Sequence, residues 1–474
     1  MMASPTISFD QIPASIRKPG KYFEFNTKLS VSTLPSNLQR VVVVGQRLSA
    51  GSTQALTPVD VFDDVQAAQQ FGRGSIAHLM AKEAITANPY VQLTVIAVDD
   101  DDAGAAATGT ITVAGTVTGL GVASVYVADT RVDVAVASDA TVAQVAIDLT
   151  VAINRELDLP VTASNLDGVI TITARHKGES GNGITISAAV TAPGLTVTTA
   201  DMKDGAIDPD LAPAFAAIFA AGYNLVAIPF TTAAALTALR NHLEAVGSPM
   251  EQRDALGFAG WPGSLAAGST LADDINSGLI SVAWHNGSVL TAGQIAAGYA
   301  AVVAAEEDPA RPLNTLEIKG LDVTAVSDRP GRVEQENALY NGLTPLEVGP
   351  GNRVQIVRAI TTYTKDAQGI DDVSLLDLTT MRTLHYTRKA CRDRIALRFP
   401  REKLSSRTAK RVRSELLDVL YKMEELEIVE EVAANAPGVV VERDLQDPNR
   451  LDAKIPVDVV NGLHVFAGRI DLLL

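Results

Sequence analysis

Apolar residues recur with different spacings along this chain, and the spacing predicts the element. RVVVVGQ (40–46) is apolar almost without interruption, which suits a strand covered on both faces. SIAHLMAKEAITAN (75–88) sets Ala77, Met80, Ala81, Ala84 and Ile85 along one side of a helix, and VQLTVIAV (91–98) reads as a second strand. Strand, helix and strand in that order predict a βαβ unit and an α/β domain with a parallel sheet. The pattern resumes much later, with strands in YNLVAIPF (223–230), ALGFAGW (255–261) and GLISVAWHN (278–286).

Between these stretches the chain changes character. DDDDAG (99–104) opens a region rich in Ala, Thr, Val and Gly and poor in aromatics, which closes near DMKDGAIDP (201–209). GTITVAGT, ASVYVADTRVDVAVA, GVITITARHKG and GITISAAVT read as strands there, and ATVAQVAIDLTVAINREL (140–157) as a helix. Acidic loops at both ends suit domain boundaries. Residues 103–205 are therefore expected to be a β-rich α+β insertion, looped out of a discontinuous α/β domain of 36–102 and 206–350.

Residues 211–239 carry no charge, which is long enough to span a bilayer. Pro213, Gly222, Asn224, Pro229, Thr231 and Thr232 interrupt the run, so it divides into a helix (about 210–221), a buried strand and a second helix (about 232–246). RVQIVRAITTYT (353–364) reads as a strand and 372–399 as helical. Ser405 or Ser406 is placed to cap a long helix reaching about Val432, with Val412, Leu416, Leu420, Met423 and Leu426 at helical spacing. The sequence ends in NGLHVFAGRIDLLL (461–474), whose alternation predicts a strand. A strand with no neighbour exposes a row of unpaired peptide groups, so this one demands a partner.

Composition narrows the chemistry. A net charge of −16 over 474 residues argues against nucleic acid as a direct partner. A single cysteine, Cys391, leaves no internal disulfide framework. The start, MMASPTISFDQIP, lacks the basic and apolar regions of a signal peptide. VVVVGQRLSAG puts a glycine where a phosphate loop would, but without the Lys-Ser/Thr pair it reads as a strand-end turn. The six histidines show no metal-ligand spacing, DDDD reads as a solvated loop, and Cys391 reads as buried or incidental despite the arginines around it. No enzyme motif and no cofactor site is found.

One charge anomaly stands out. From Arg388 to Arg413 there are eleven Lys or Arg and two acids, a net of +9 in 26 residues of an acidic chain. Arg407, Lys410 and Arg411 fall in the first turns of the long helix and Glu424, Glu425, Glu427, Glu430 and Glu431 near its far end, the reverse of what a helix dipole favours. Arg401, Lys403, Arg407, Lys410 and Arg411 form a candidate surface for an acidic partner, set against a plain solvated face.

IPASIRKPGKYFEFN (12–26), VRAITTYT with SLLDLTTMRTLHYTRKACRDRIALRFP (357–400) and VVVERDLQDPNRLDAKIPVDVVNGLHVFAGRIDL (439–472) resemble the tail sheath family of Mu-like contractile phages, as does VTASNLDGVITITARHKGESGNGITI (161–186) in the insertion. The resemblance spans essentially the whole chain and implies a structural virion protein assembled in the host cytoplasm. It implies a multidomain α/β and α+β fold: a middle, subtilisin-like but non-catalytic domain, an outward-facing insertion, a tube-facing C-terminal domain of 351–454, and extended arms at 1–35 and 455–474. The arms would add strands to neighbouring copies, through Tyr22, Phe23, Glu24 and Phe25 at one end and Leu463, Val465, Phe466, Ile470 and Leu472 at the other. Joints are expected at 30–36 and 447–456. Implied partners are other copies of the chain, a tail tube, a baseplate and a tail terminator, without membrane insertion. A different self-assembling baseplate or filament subunit is the alternative.

Overall fold

The computed structural model describes residues 17–23 and 34–473. Two compact units divide the chain. The larger comprises Asn37–Thr387, Glu427–Glu430 and Val457–Leu474, and the smaller comprises Arg388–Leu426 and Glu431–Pro456 with the described residues up to Ser36.

The larger unit begins with β1 (Arg40–Gln46), β2 (Pro58–Asp60), α1 (Asp64–Phe71), α2 (Ile76–Ala87) and β3 (Gln92–Val98). β1 and β3 pair in parallel from Arg40↔Gln92 to Gln46↔Val98. Val41 to Val44 are fully buried, as their unbroken apolar run requires. Ser75 caps α2, its hydroxyl accepting from the His78 N–H. Gly45 corrects the expectation of a strand-end turn: it lies inside β1, opposite Ala97. A Cβ there would stand 2.9 Å from the Ala77 backbone, so the glycine lets α2 lie close on the sheet.

The chain then leaves this sheet through β4 (Ala106–Gly115), β5 (Gly121–Val127), β6 (Thr130–Val136), α3 (Val142–Arg155), β7 (Val161–Leu166), β8 (Val169–Lys177), β9 (Ile186–Val190) and β10 (Leu195–Lys203). These strands make two sheets of their own, ordered β10-β4-β8-β7 and β6-β5-β9. Val145, Leu149 and Ile153 of α3 join Ile111, Val125 and Ile170 in a separate core. The acidic tract at the exit is tied down. Asp99 pairs with Arg47 at 2.8 Å, and Asp100 bonds His176 Nδ1 (2.8 Å), Gln46 Nε2 (2.7 Å) and the Lys177 N–H (3.0 Å). Burial pushes the Asp100 carboxyl up, but these bonds outweigh it and hold the group below the usual carboxylate range. The tract is a loop, as expected, with Asp99 and Asp102 exposed, and Asp99 and Asp100 brace it at the crossing point.

The main sheet resumes through α4 (Ala212–Ile218), β11 (Leu225–Ala227), α5 (Ala233–Val246), β12 (Leu256–Trp261), α6 (Leu265–Ile275), β13 (Ile280–Trp284), α7 (Ala292–Ala305), α8 (Arg332–Tyr340), β14 (Thr344–Gly349) and β15 (Arg353–Ile356). Its order is β15-β14-β13-β12-β11-β1-β3-β2. Only the edge strands β2 and β15 run antiparallel to their neighbours. Helices cover both faces: α1, α2 and α7 contribute to one core, α4, α5 and α6 to the other. The uncharged run 211–239 resolves into α4, β11 and α5, and no helix among the described residues is long and apolar enough to cross a membrane.

The strand expected over 353–364 is only β15. Beyond it Arg358 grips Asp377 with two bonds of 2.9 and 2.8 Å, and the Thr361 and Thr362 N–H groups donate to Leu376 and Ile280 carbonyls. The branched residues that suggested a strand serve an irregular, hydrogen-bonded segment.

The chain crosses between units within α9 (Leu378–Arg398). The smaller unit continues with α10 (Ser406–Glu425), whose Val412, Leu416, Val419, Leu420 and Met423 are buried. α10 ends at Glu425, short of the expected Val432. Leu426 is its C-cap, Glu427 and Glu431 take left-handed backbone (φ 56° and 55°), and β16 (Val429–Glu430) lies between them. The smaller unit closes with β17 (Val440–Arg443) and β18 (Leu451–Lys454), an antiparallel pair, and β19 (Asp458–Val459) returns the chain to β16 in the larger unit.

Candidate functional site

The surfaces singled out by the sequence are the chain's tail and the basic cluster of the smaller unit. β19 pairs with β16 through Val429↔Val459 and Glu430↔Asp458. From 460 to 473 no residue is in a strand, which corrects the expected terminal strand. The reason is physical: a strand is a property of a pair, and no described segment of this chain pairs with residues 460–473 as a strand. The side chains expected to pair are bare. Leu463 and Val465 are 79% exposed, Phe466 87%, Leu472 83% and Ile470 98%. At the other end Tyr22 and Phe23 are also exposed, with no strand at 21–23, while Glu24 and Phe25 lie outside the described residues.

Of the expected joints, 30–33 also lies outside the described residues. Residues 447–456 are a hairpin in large part rather than a loose joint. Asp444 accepts from the Gln446 and Asp447 N–H groups (2.6 and 2.7 Å), Asp447 accepts from that of Asn449 (2.9 Å), and β18 follows at once.

The basic cluster divides in two. Arg394 is buried and bonds Glu415 (3.1 Å) and Asp418. Burial works against its charge, but the two carboxylates outweigh it and raise the guanidinium pKa. Arg398 lies 3.5 Å from Glu415, Lys389 pairs with Asp393 at 2.9 Å, and Arg413 donates to the carbonyls of Val439 (2.7 Å) and Ala436 (2.6 Å). These are structural. Arg401, Lys403, Arg407 and Lys410 are exposed and have no carboxylate within 4 Å among the described residues. Arg411, the fifth candidate, pairs with Glu402 at 2.9 Å and stands over the Phe399 ring. The shorter α10 leaves Glu427, Glu430 and Glu431 outside the helix, so its unfavourable dipole pattern is milder than expected.

Catalytic chemistry finds little to work with. Burial pushes the Cys391 thiol up to about 11, outweighing the nearby Arg394 that favours a thiolate. Among the described residues no group of three or more His, Cys, Asp or Glu is arranged to hold a metal. His242 stacks on Phe215 with centroids 4.7 Å apart, and burial lowers its pKa to about 4. What the sequence did not signal is a socket for His464, made by Asn314, Arg358 and Asp377. They lie far from it along the chain.

Comparison with known proteins agrees with this picture. A family model described as the phage tail sheath protein central domain matches residues 189–362, and one for the phage tail sheath C-terminal domain matches 371–472. The Mu-like prophage FluMu tail sheath protein of Haemophilus influenzae is 35% identical over 487 residues, covering 99% of this chain and 100% of that protein. The crystal structure of a sheath tail protein from Listeria innocua matches with a TM-score of 0.52 at 12% identity, over 92% of this chain and 95% of that one. The contracted sheath of an extracellular contractile injection system matches with a TM-score of 0.50 at 10% identity, over 97% and 98% of the two chains. At such identities these two speak for the fold alone. The two family models and the full-length relative show that the chain belongs to the phage tail sheath protein family, as a structural component of a contractile tail and not an enzyme.

Proposed function

We propose that the chain polymerises helically around a tail tube through exchanged terminal β-strands, and that the polymer contracts to drive the tube through the host envelope during genome delivery. The observation that carries this reading is the tail after β19, whose large apolar side chains are exposed and which has no strand partner among the described residues. Strand addition supplies main-chain hydrogen bonds that tolerate loose side-chain fit. At about 0.5–1.5 kcal/mol net for each bond, an arm making four or five is a modest link, which a lattice with two arms per copy multiplies into a mesh. Tyr22, Phe23, Glu24 and Phe25 are the proposed N-terminal counterpart. The two-stranded β17–β18 sheet has open edges suited to receive an arm.

The remaining roles follow the same reading. The middle domain (36–102 and 206–350, subtilisin-like without catalysis) and the inner domain (351–454) are the functional regions of this reading, with β15 lying in the main sheet. The insertion (103–205) faces outward, and 455–474 is the exchanged arm. Arg401, Lys403, Arg407, Lys410 and Arg411 face an acidic tube. Baseplate and terminator proteins bound the two ends, and assembly occurs in the host cytoplasm before the sheath serves in the virion. The work of contraction comes from improved packing as domains rotate about tethers that stay engaged.

A chain lacking residues 465–474 tests the reading. It is expected to keep its circular dichroism and sediment as a folded monomer, yet form no striated tubes or rings in negative stain. Normal tubes from the shortened chain refute strand exchange.

A further inference from the structure

Among the described residues His464 is the last of the tail with a sheltered side chain. That side chain is 14% exposed, while the neighbouring residues Leu463 and Val465 are each 79% exposed. Its Nδ1 lies 3.0 Å from Asn314 Nδ2. With the amide donating, Nδ1 is the acceptor and Nε2 carries the proton. Nε2 points to Asp377, 3.5 Å away, whose carboxylate is fixed by the two bonds from Arg358. Below the ring are Gly462 and Pro312. A Cβ at 462 would come within 2.8 Å of both His464 Nε2 and Pro312 Cγ, so only glycine leaves the ring its place. The His464 N–H donates to the Gly462 carbonyl at 2.9 Å, tightening the turn. Just upstream, β19 is already held by β16, and the Val460 N–H donates to the Ile428 carbonyl.

We propose that His464 is the anchor of the C-terminal arm: the chain through His464 stays on its own subunit, and only residues 465–474 are handed to a neighbour. This rests on the strand-exchange reading. His464 acts here as a positioning residue. Ten residues beyond a fixed exit reach roughly 33 Å when extended. Fixing the exit also removes conformational freedom before the arm docks, so less is lost when it does. When subunits rotate, an anchored base keeps the pull on the exchanged strand from peeling β19 off β16. Burial and Arg358 together lower the imidazole pKa against the opposing pull of Asp377, which favours the neutral ring that Asn314 needs.

Full-length variants provide the test. His464→Ala is expected to raise the critical concentration for polymerisation roughly two- to tenfold, the range of one lost hydrogen bond. It should also speed amide exchange at 458–464 in the unpolymerised chain. His464→Asn, which keeps an acceptor for Asn314, should recover most of both effects. Joining Asn314→Cys to His464→Cys with a short bis-methanethiosulfonate, each cysteine displacing methanesulfinate to form a disulfide to the linker, locks the arm's base, and the locked chain should polymerise like the wild type. An unchanged threshold in His464→Ala, or a locked chain unable to polymerise, overturns the anchor. Polymerisation without residues 465–474 overturns strand exchange instead, so the two failures are distinguishable.

Discussion

Glu83 should make the larger unit less stable as pH rises through neutrality, and the effect is large enough to measure. Glu83 lies on α2 with 7% of its surface exposed, and its Oε1 is buried without a hydrogen-bond partner. The backbone of Gly320 crowds it: a Cβ there would be 2.2 Å from Oε1. Burial is the main cause that raises its pKa to about 8, with Asp129 and Asp322 adding to it and Lys82 opposing. The folded state therefore holds a proton that the unfolded chain gives up near its ordinary value of 4.5. Below that value the group imposes no penalty. The penalty grows as pH rises, to about 3 kcal/mol at pH 7 and about 5 kcal/mol well above pH 8. Glu83→Gln keeps the shape and removes the titration. Urea unfolding of unpolymerised wild type and variant, followed between pH 5 and 8, should show the variant gaining on the wild type by about 3 kcal/mol across the range. A difference that stays flat, or that shrinks as pH rises, would refute the assignment of a buried, proton-holding carboxyl.

Three further outcomes follow from particular contacts. Gly45→Ala should destabilise the unfolding transition by about 1–3 kcal/mol, because the new Cβ meets the Ala77 backbone at 2.9 Å and neither α2 nor β1 has room to retreat. Cys391 should resist a thiol reagent such as Ellman's in the native chain at pH 8 and react at once in urea, since burial holds its pKa near 11. Reversing charge at Arg407 and Lys410 should weaken sheath–tube association most at low salt and leave the monomer's unfolding within about 0.5 kcal/mol of wild type, because neither has a carboxylate within 4 Å among the described residues. Equal association at every salt concentration would remove these cations from the tube-facing surface.

What could be read in advance was whatever the chain specifies locally. β1, α2 and β3 announced themselves because an unbroken valine run, a helical apolar stripe with Ser75 before it, and a second apolar run each permit one element. The start of α10 was narrowed to Ser405 or Ser406, of which Ser405 is the cap, but its end was not legible. Glu427 and Glu431 adopt a backbone that glutamate rarely takes, which no residue pattern marks. Residues 357–364 looked like a strand because branched residues favour strands, yet Arg358, Thr361 and Thr362 find partners at Asp377, Leu376 and Ile280, distant in sequence. The basic cluster was visible as a charge excess. Which cations were already matched by Glu415, Asp418 or backbone carbonyls emerged only when the helices packed. The tail is the opposite case. Its alternation predicts a strand, and the single chain forms none from 460 to 473.

If each copy is completed by another, a reconstruction of the assembled polymer by electron cryomicroscopy will show it. Residues 465–472 of one copy should be hydrogen-bonded as a strand to a neighbouring copy, while His464 remains beside Asn314 of its own subunit. Residues 465–472 folded back along their own chain, with neighbours joined by other surfaces, would contradict it.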